Sequence, residues 1–173
     1  CTPVLATVRK GVFKLAFSEN AQKVGMPLIP CCEAKHIWTQ TRIIEDAVFG
    51  TDLTGANIIV SGGLGMGSRE NFKKLHTLAD MLGAAVGASR AAVAAGYAGY
   101  AHQVGQTGVS VRPDIYIAFG ISGAVQHLSG ISGAKKIYAV NHDPKAPIHE
   151  YADFSVIADC TSVLDKLIEK AGG

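Results

Sequence analysis

The chain has 173 residues, a length that suits a single domain with a sizeable buried core. Apolar residues make up 48% of it and charged residues only 17%, which excludes an intrinsically disordered chain. Sixteen Lys and Arg against 14 Asp and Glu leave a net charge of +2, too balanced for a protein whose main partner is nucleic acid.

The cysteines and histidines predict neither a disulfide framework nor a metal site. The four cysteines, at Cys1, Cys31, Cys32 and Cys160, form no Cys-x-x-Cys spacing, and the six histidines form no His-x-x-x-His pair. We therefore expect a reducing compartment. The longest apolar run in the glycine-rich middle, 91–101, is much shorter than the roughly 20 residues that a membrane span needs, so no membrane span is expected.

Residues 1–50 are interpreted as opening strands and a connector that belong to the same domain as the rest. Short strands are predicted over Val4–Val8, Val12–Ala16 and Ile37–Ile43. Residues 51–173 are interpreted as the α/β core, because apolar runs and helical stretches alternate there.

The core region contains five predicted strands and two well-marked helices. The strands are predicted over residues 57–61, 86–89, 115–119, 136–140 and 154–158. The first helix follows Ser68 as N-cap, with a buried stripe of Phe72, Leu75, Ala79 and Leu82. The last helix carries an apolar stripe of Val163, Leu164, Leu167, Ile168 and Ala171. Apolar strands without alternation, separated by helices, indicate a parallel sheet covered on both faces.

Predicted strands end in residues suited to binding. These ends are Gly62-Gly63, Gly120 with Ser122-Gly123, Asn141 and Asp159. In an open α/β sheet they lie along one edge, where ligands bind, so we predict the functional site there. Asp159 fits the N-cap of the last helix equally well.

Two stretches near the first strands have features of an anion site. Residues 61–68 follow a strand and open a helix, but Ser68 replaces the third glycine of a G-x-G-x-x-G, so a turn without a ligand is an alternative. Arg90 is the only charged residue between positions 81 and 111. An anionic ligand beside Ser89 and Arg90 would give the guanidinium a partner; an exposed Arg at a local turn is the alternative.

Two further polar stretches are candidate ligand loops. Residues 103–108 combine two Gln and one Thr with two glycines, and can donate and accept hydrogen bonds; an ordinary surface turn has the same composition. Residues 122–127 follow a strand and enter a helix. A lone His127 in that setting is more often a satisfied core or surface histidine than a functional one.

Four stretches in this order resemble the α subunit of electron-transfer flavoprotein: residues 86–91, 103–108, 120–128 and 139–147. The similarity covers essentially the whole chain. The family's α subunit also has a preceding domain of comparable size, which is absent from this sequence; with the start at Cys1, this indicates a fragment or a processed product. The resemblance implies a Rossmann-like α/β fold, a parallel sheet with helices on both faces, that holds one FAD non-covalently.

The resemblance also implies roles for the candidate residues. Ser89 and Arg90 match contacts to the cofactor, with the Arg near the isoalloxazine. Thr107 matches a contact near flavin N5, and His127 one near flavin O2, where it favours the reduced, negatively charged ring. Asn141 and Asp159 match contacts to the adenosine end. The expected cofactor-binding set is Ser89, Arg90, Gln103, Val104, Gly105, Gln106, Thr107, Gly108, Ser122, Gly123, Ala124, Val125, Gln126, His127, Asn141 and Asp159.

The sequence departs from the family at two positions. Leu64 stands where the family usually has Arg, and Val109 where it usually has Lys. Losing the first cation weakens the case that residues 61–68 hold phosphate. We still expect FAD to bind, because the residues expected around the flavin ring are all present.

The implied function is an FAD-binding electron carrier, not an enzyme, that works with a β subunit. It would take electrons from acyl-CoA-type dehydrogenases of fatty acid β-oxidation and pass them to a quinone-linked or other redox partner. In a bifurcating complex, NADH and ferredoxin would be further redox partners. The expected compartment is the cytoplasm of a prokaryote or the mitochondrial matrix of a eukaryote.

Two alternatives come from other classes of protein. An NAD(P)-binding Rossmann domain of an oxidoreductase is disfavoured, because Gly83 stands where a ribose-binding acid is expected and Asp80 lies inside the predicted helix. A structural or regulatory fragment that has lost its cofactor is the other. An absorption spectrum of the purified protein separates all three: oxidised flavin is yellow, bound nicotinamide is not, and an empty fold is colourless.

Overall fold

The structure is a computed structural model that describes residues 52–172, so the strands predicted within 1–50 lie outside the described residues. The strands are β1 (Ile58–Gly62), β2 (Ala85–Ala88), β3 (Ile115–Phe119), β4 (Lys136–Asn141) and β5 (Phe154–Ile157). The helices are α1 (Arg69–Leu82), α2 (Arg90–Ala94), α3 (Val125–Ile131), α4 (Ile148–Tyr151) and α5 (Cys160–Ala171), with 3-10 turns at Leu64–Met66 and Tyr100–His102.

The five strands are parallel and form one sheet in the order β2-β1-β3-β4-β5. Val60 in β1 aligns with Val86 in β2 on one side and with Ile117 in β3 on the other. Helices cover both faces. One face packs against α1 and α5, and the other packs against α3 and α4. The predicted α/β, Rossmann-like parallel sheet with helices on both faces is confirmed.

Helix α1 begins and ends as its sequence predicts. The Ser68 hydroxyl accepts a hydrogen bond from the Asn71 backbone N–H at 3.1 Å, and Gly83 caps the other end in the left-handed conformation. Leu75 is fully buried in the face toward the sheet. The prediction for Leu82 is wrong: this side chain is 39% exposed, because it lies in the last turn of the helix, and Leu78 is buried instead.

The end of the chain is less buried than predicted. In α5, Leu164 is fully buried, but Leu167 is 40% exposed. In β5, Phe154 and Ile157 are 61% and 60% exposed. The physical reason is position: among the described strands β5 and β2 are each paired on one side only, but β2 also packs against α1, whereas α5 packs largely along α1. A strand buried on both faces was therefore the wrong expectation for β5.

No helix in residues 52–172 has both the length and the apolar character needed to cross a membrane.

The contrast between Leu75 and Leu82 predicts two different mutational effects. Leu75→Ala removes a fully buried side chain, so it should lower the free energy of unfolding by about 2–5 kcal/mol. Leu82→Ala makes the same chemical change at an exposed helix end, and should lower it by less than about 1 kcal/mol. Urea unfolding of both variants measures this, and equal losses would contradict the assigned packing.

Candidate functional site

The strand order reverses between β1 and β3. The chain leaves β1 for β2 on one side and leaves β3 for β4 on the other, so the connections after these strands diverge at the carboxyl edge of the sheet. The loop after β1 packs directly on the loop after β3: Gly65 N–H donates to the Gly120 carbonyl at 3.0 Å. A side chain at Gly63 would overlap that carbonyl, so the glycines of this turn are required for the close approach.

Two adjoining cavities open along this edge, with volumes of about 410 and 440 Å³. They share Ser89, Ala91 and Ser122. The first is lined by Ser89, Arg90, Ala91, Ala94, Val104, Gly105, Gln106, Thr107, Ile121, Ser122, Ala124, Gln126 and His127. The second is lined by Leu64, Gly65, Ser89, Ala91, Gly120, Ser122, Asn141, His142, Asp143 and Ala146. Two cavities with a common wall suit an elongated, two-part ligand.

Ser89 and Arg90 lie at the start of α2, as predicted. The Ser89 hydroxyl oxygen accepts a hydrogen bond from the Ala92 N–H at 3.2 Å, which leaves its proton available to a ligand. Arg90 is exposed at the cavity and makes no ion pair with any residue in 52–172. Its guanidinium can therefore pair with an electron-rich group in the first cavity.

The loop of residues 103–108 is held from both sides. Gln103 is 4% exposed, and its Nε2 donates to the Thr107 Oγ1 at 3.0 Å. The Tyr100 hydroxyl donates to the Thr107 carbonyl at 2.7 Å. Thr107 lines the first cavity, and its own hydroxyl proton is left for a ligand.

Two glycines bring this loop against α3. A Cβ added at Gly130 would lie 2.5 Å from the Gly105 Cα, so the two backbones touch where side chains would separate them. The Gln106 N–H donates to the Gln126 carbonyl at 2.8 Å across the same contact. This contact places Thr107 and His127 in the wall of one cavity.

His127 is both a core residue and a cavity residue. It is 6% exposed, and its Nε2 lies 3.0 Å from the Tyr116 hydroxyl. Its Nδ1 makes no hydrogen bond within the described part of the chain. Burial lowers the pKa of His127 to about 4, and the Val104 backbone opposes that shift only in part. The imidazole is therefore neutral at physiological pH.

The second cavity is organised by Asn141, which is 6% exposed. Its Nδ2 donates to the Ile121 carbonyl at 2.9 Å, and its Oδ1 accepts from the Asp143 N–H at 3.0 Å. Asn141 therefore ties the loop after β3 to the loop after β4. The exposed side chains of His142 and Asp143 also line this cavity and can contact hydroxyl groups or a base edge.

Asp159 acts as the N-cap of α5. Its Oδ1 accepts hydrogen bonds from the Thr161 hydroxyl at 2.6 Å and the Ser162 N–H at 2.8 Å. These bonds, led by that from Thr161, lower the pKa of Asp159 to about 2. Asp159 lines neither cavity, so the capping alternative describes its observed contacts, and its contact with the adenosine end stays a prediction.

Most of the expected cofactor-binding set lines the two cavities. The members that line neither are Gln103, Gly108, Gly123, Val125 and Asp159. Gln103 and Gly108 shape the loop around Thr107, and Val125 is 75% exposed. Cavity residues outside the expected cofactor-binding set are Leu64, Gly65, Ala91, Ala94, Gly120, Ile121, His142, Asp143 and Ala146. Several of these directly follow predicted strand ends, which was the one signal available for them.

No group of three His, Cys, Asp or Glu side chains within residues 52–172 is arranged to hold a metal ion.

Comparison with known proteins identifies the family. Residues 52–132 match the family described as "Electron transfer flavoprotein FAD-binding domain". By its FAD-binding domain, the chain belongs to the electron transfer flavoprotein α family. The resemblance inferred from the sequence is confirmed, and so is FAD as the cofactor of this family's domain.

Curated members of this electron transfer flavoprotein α family resemble the chain over most of its length. The α subunit of Syntrophomonas wolfei is 42% identical over 168 residues, 97% of this chain and 53% of that protein. The α subunit of Mycobacterium leprae is 46% identical over 170 residues, 97% and 52% respectively. The mitochondrial α subunit of Oryza sativa subsp. japonica is 55% identical over 119 residues, 69% and 33%. The chain therefore spans about half the length, or less, of these relatives.

The residues present fit FAD as an electron transfer flavoprotein domain should hold it. The first cavity has apolar walls for a flat ring, together with the Arg90 guanidinium and the Thr107 hydroxyl proton, neither of which is paired with a residue in 52–172. It also contains His127, whose Nδ1 is buried without a hydrogen bond among residues 52–172. The second cavity adds the polar groups that ribose and adenine require.

The pKa of His127 predicts a pH dependence of stability. The folded pKa, about 4, lies below the unfolded value of about 6.5, so between these values the unfolded chain binds more protons. The free energy of unfolding should therefore fall as the pH falls from about 6.5 to 4.

NMR titration of the His127 ring in flavin-free protein measures this directly. The ring should stay neutral down to about pH 4, whereas in urea it should titrate near 6.5. Protonation of the folded ring near pH 6.5 would contradict the assigned burial.

The contact between Gly130 and Gly105 predicts an effect opposite to helix propensity. Ala is favoured over Gly inside a helix by about 1 kcal/mol, yet Gly130→Ala should weaken FAD binding, because the new Cβ displaces the loop that carries Thr107. Gly99→Ala is the matched control, since an added Cβ meets nothing within 4 Å there. Flavin content after gel filtration measures the difference; equal content in both variants would rule out this role of the contact.

Proposed function

We propose that the chain is the FAD-binding part of an electron carrier. It accepts electrons from flavoprotein dehydrogenases of the acyl-CoA type and passes them to a quinone-linked or other redox partner. The observation that carries the proposal is the first cavity, where Arg90, Thr107 and His127 converge beside apolar walls. FAD supplies the redox chemistry, and the residues of the chain bind it, orient it and set how readily it accepts electrons.

The charges around the first cavity favour a reduced flavin. Adding electrons to the ring adds negative charge, which the guanidinium of Arg90 stabilises. Among residues 52–172, no acidic side chain lines this cavity, so no carboxylate in that part of its wall opposes the effect. His127 remains neutral and contributes an oriented ring rather than a second full charge.

The site also allows exchange of electrons with a partner. Arg90 and Thr107 are exposed at the mouth of the first cavity, so a ring held there would have one edge near the surface. Next to it, Val125 and Tyr100 are 75% and 68% exposed. Large apolar groups at a rim are typical of a surface that another protein covers. We assign that place to an electron-transfer flavoprotein β subunit.

The chain would act as a carrier and not as an enzyme, because the cofactor itself would fill the first cavity. In a bifurcating complex, NADH and ferredoxin would be further partners. Since similar α subunits occur in bacteria and in mitochondria, the corresponding compartments are the cytoplasm or the mitochondrial matrix. The NAD(P) alternative gains no support: Gly83 caps the end of α1, and the carboxyl end of β2, at Ala88 and Ser89, carries no acid to hold a ribose.

Absorption spectroscopy of the whole purified protein tests the proposal. The protein should be yellow, and its flavin bands should bleach when an acyl-CoA dehydrogenase and its substrate are added. A colourless preparation that takes up no FAD would refute cofactor binding. Yellow protein that no such dehydrogenase reduces would refute the assigned donor.

Arg90→Ala should lower the reduction potential of the bound flavin by on the order of 30 mV, because the reduced ring loses a nearby positive charge that solvent already screens in part. Arg90→Lys keeps the charge and should retain most of the potential. Arg112→Ala is the control, since Arg112 precedes β3 at the opposite edge of the sheet. Spectroelectrochemical titration measures all three, and an unchanged potential in Arg90→Ala would show that the guanidinium points away from the ring.

A further inference from the structure

A buried hydroxyl lies directly behind the cavity histidine. Tyr116, in the central strand β3, is 0% exposed, and its hydroxyl is 3.0 Å from the His127 Nε2. The two rings are tilted by 57°, with centroids 6.1 Å apart. Tyr116 lines neither cavity, so it can influence a ligand in the first cavity only through its hydrogen bond with His127.

The direction of this hydrogen bond decides what the imidazole offers to the cavity. The buried ring is neutral and carries one proton. If the Tyr116 hydroxyl donates to Nε2, that proton lies on Nδ1 and is a free donor. If Nε2 donates instead, Nδ1 is a bare acceptor.

The surroundings favour donation by Tyr116. Burial raises the pKa of Tyr116, so the phenol keeps its proton. The Ser61 hydroxyl makes no hydrogen bond within residues 52–172, so the His127 ring is the one hydrogen-bond partner of the phenol in that part of the chain. If Nε2 were the donor, the buried phenol proton would have no acceptor among residues 52–172, so donation by Tyr116 to Nε2 is favoured.

We propose that Tyr116 is a positioning residue for the flavin site. Its hydroxyl donates to the Nε2 of His127, fixes the orientation of the ring and leaves Nδ1–H as the donor that favours the reduced, negatively charged flavin. The inference rests on the proposed function in one respect, namely that the first cavity receives the flavin ring. It gives a redox role to a side chain of the hydrophobic core.

The first test needs no bound flavin. In the whole protein stripped of FAD, ¹⁵N NMR of the His127 ring distinguishes a protonated from a bare nitrogen. Wild type should show the proton on Nδ1, and Tyr116→Phe should lose that preference. Tyr138→Phe is the matched control, because it removes a hydroxyl from the neighbouring strand β4 and should change nothing. A proton found on Nε2 in wild type would overturn the proposal.

The second test measures the potential of the bound flavin. Tyr116→Phe should shift the one-electron equilibrium by about fivefold toward the oxidised form, as expected for one lost hydrogen bond, and Tyr138→Phe should not shift it. In a His127→Gln background, Tyr116→Phe should add little, because its effect passes through the imidazole. Full additivity of the two changes would overturn the positioning role.

A third variant covers the case in which Tyr116→Phe fails to fold. Tyr116→3-fluorotyrosine keeps the ring and the hydroxyl but makes the phenol a stronger donor, so it should shift the equilibrium toward the reduced form. An unchanged potential would overturn the proposal.

The outcomes separate the two proposals. A wild-type protein that holds no redox-active flavin would refute the proposed function, while the NMR test still decides how Tyr116 and His127 are bonded. A wild-type flavin that titrates normally, with no shift in any Tyr116 variant, would refute the present inference alone.

Discussion

The geometry of the site depends on backbone contacts at the carboxyl edge of the sheet, where glycines take the place of side chains. Gly130 lets α3 touch the loop at Gly105, and Gly63 lets the turn after β1 touch the loop after β3. These contacts hold loops that are distant in sequence within hydrogen-bonding distance. The strands determine where the edge lies, but the glycines determine how close the loops come, and thereby the width of both cavities.

Much of the fold follows from local patterns in the sequence. The short apolar runs predicted β1, β3 and β4, because a parallel strand buried on both faces has no polar alternation. Ser68 predicted the start of α1 because an N-cap needs only local hydrogen bonds. The exposure of Leu82, Phe154 and Ile157 was not predicted. Burial depends on which elements pack nearby, and the sequence does not distinguish a buried apolar residue from an exposed one.

The position of the candidate site was also predictable from local patterns, whereas the contacts between its residues were not. Strand ends predicted the edge of the sheet at which the site lies, because parallel strands bring their carboxyl ends together. Arg90 was singled out as a lone charge, Thr107 by a polar glycine loop and His127 by the family resemblance, and all three line the first cavity. Gln103 was predicted to bind, yet it supports Thr107 from behind. Tyr116 was counted as part of an apolar strand, and sequence carries no sign that its hydroxyl meets an imidazole 11 positions later. Contacts between a strand interior and a helix require the tertiary structure.

Because the two cavities share a wall, binding of one half of the dinucleotide in one cavity should affect binding of the other half in the second cavity. Asn141 links the loop that carries Ile121 to the loop that carries Asp143, and Ser122 faces both cavities. A nucleotide fragment held in the second cavity would immobilise part of the first before a flavin fragment arrives. The second fragment would then lose less conformational entropy on binding. Separate halves of the dinucleotide should consequently bind with positive cooperativity, and the covalent pyrophosphate linkage would strengthen a coupling that the protein wall already provides.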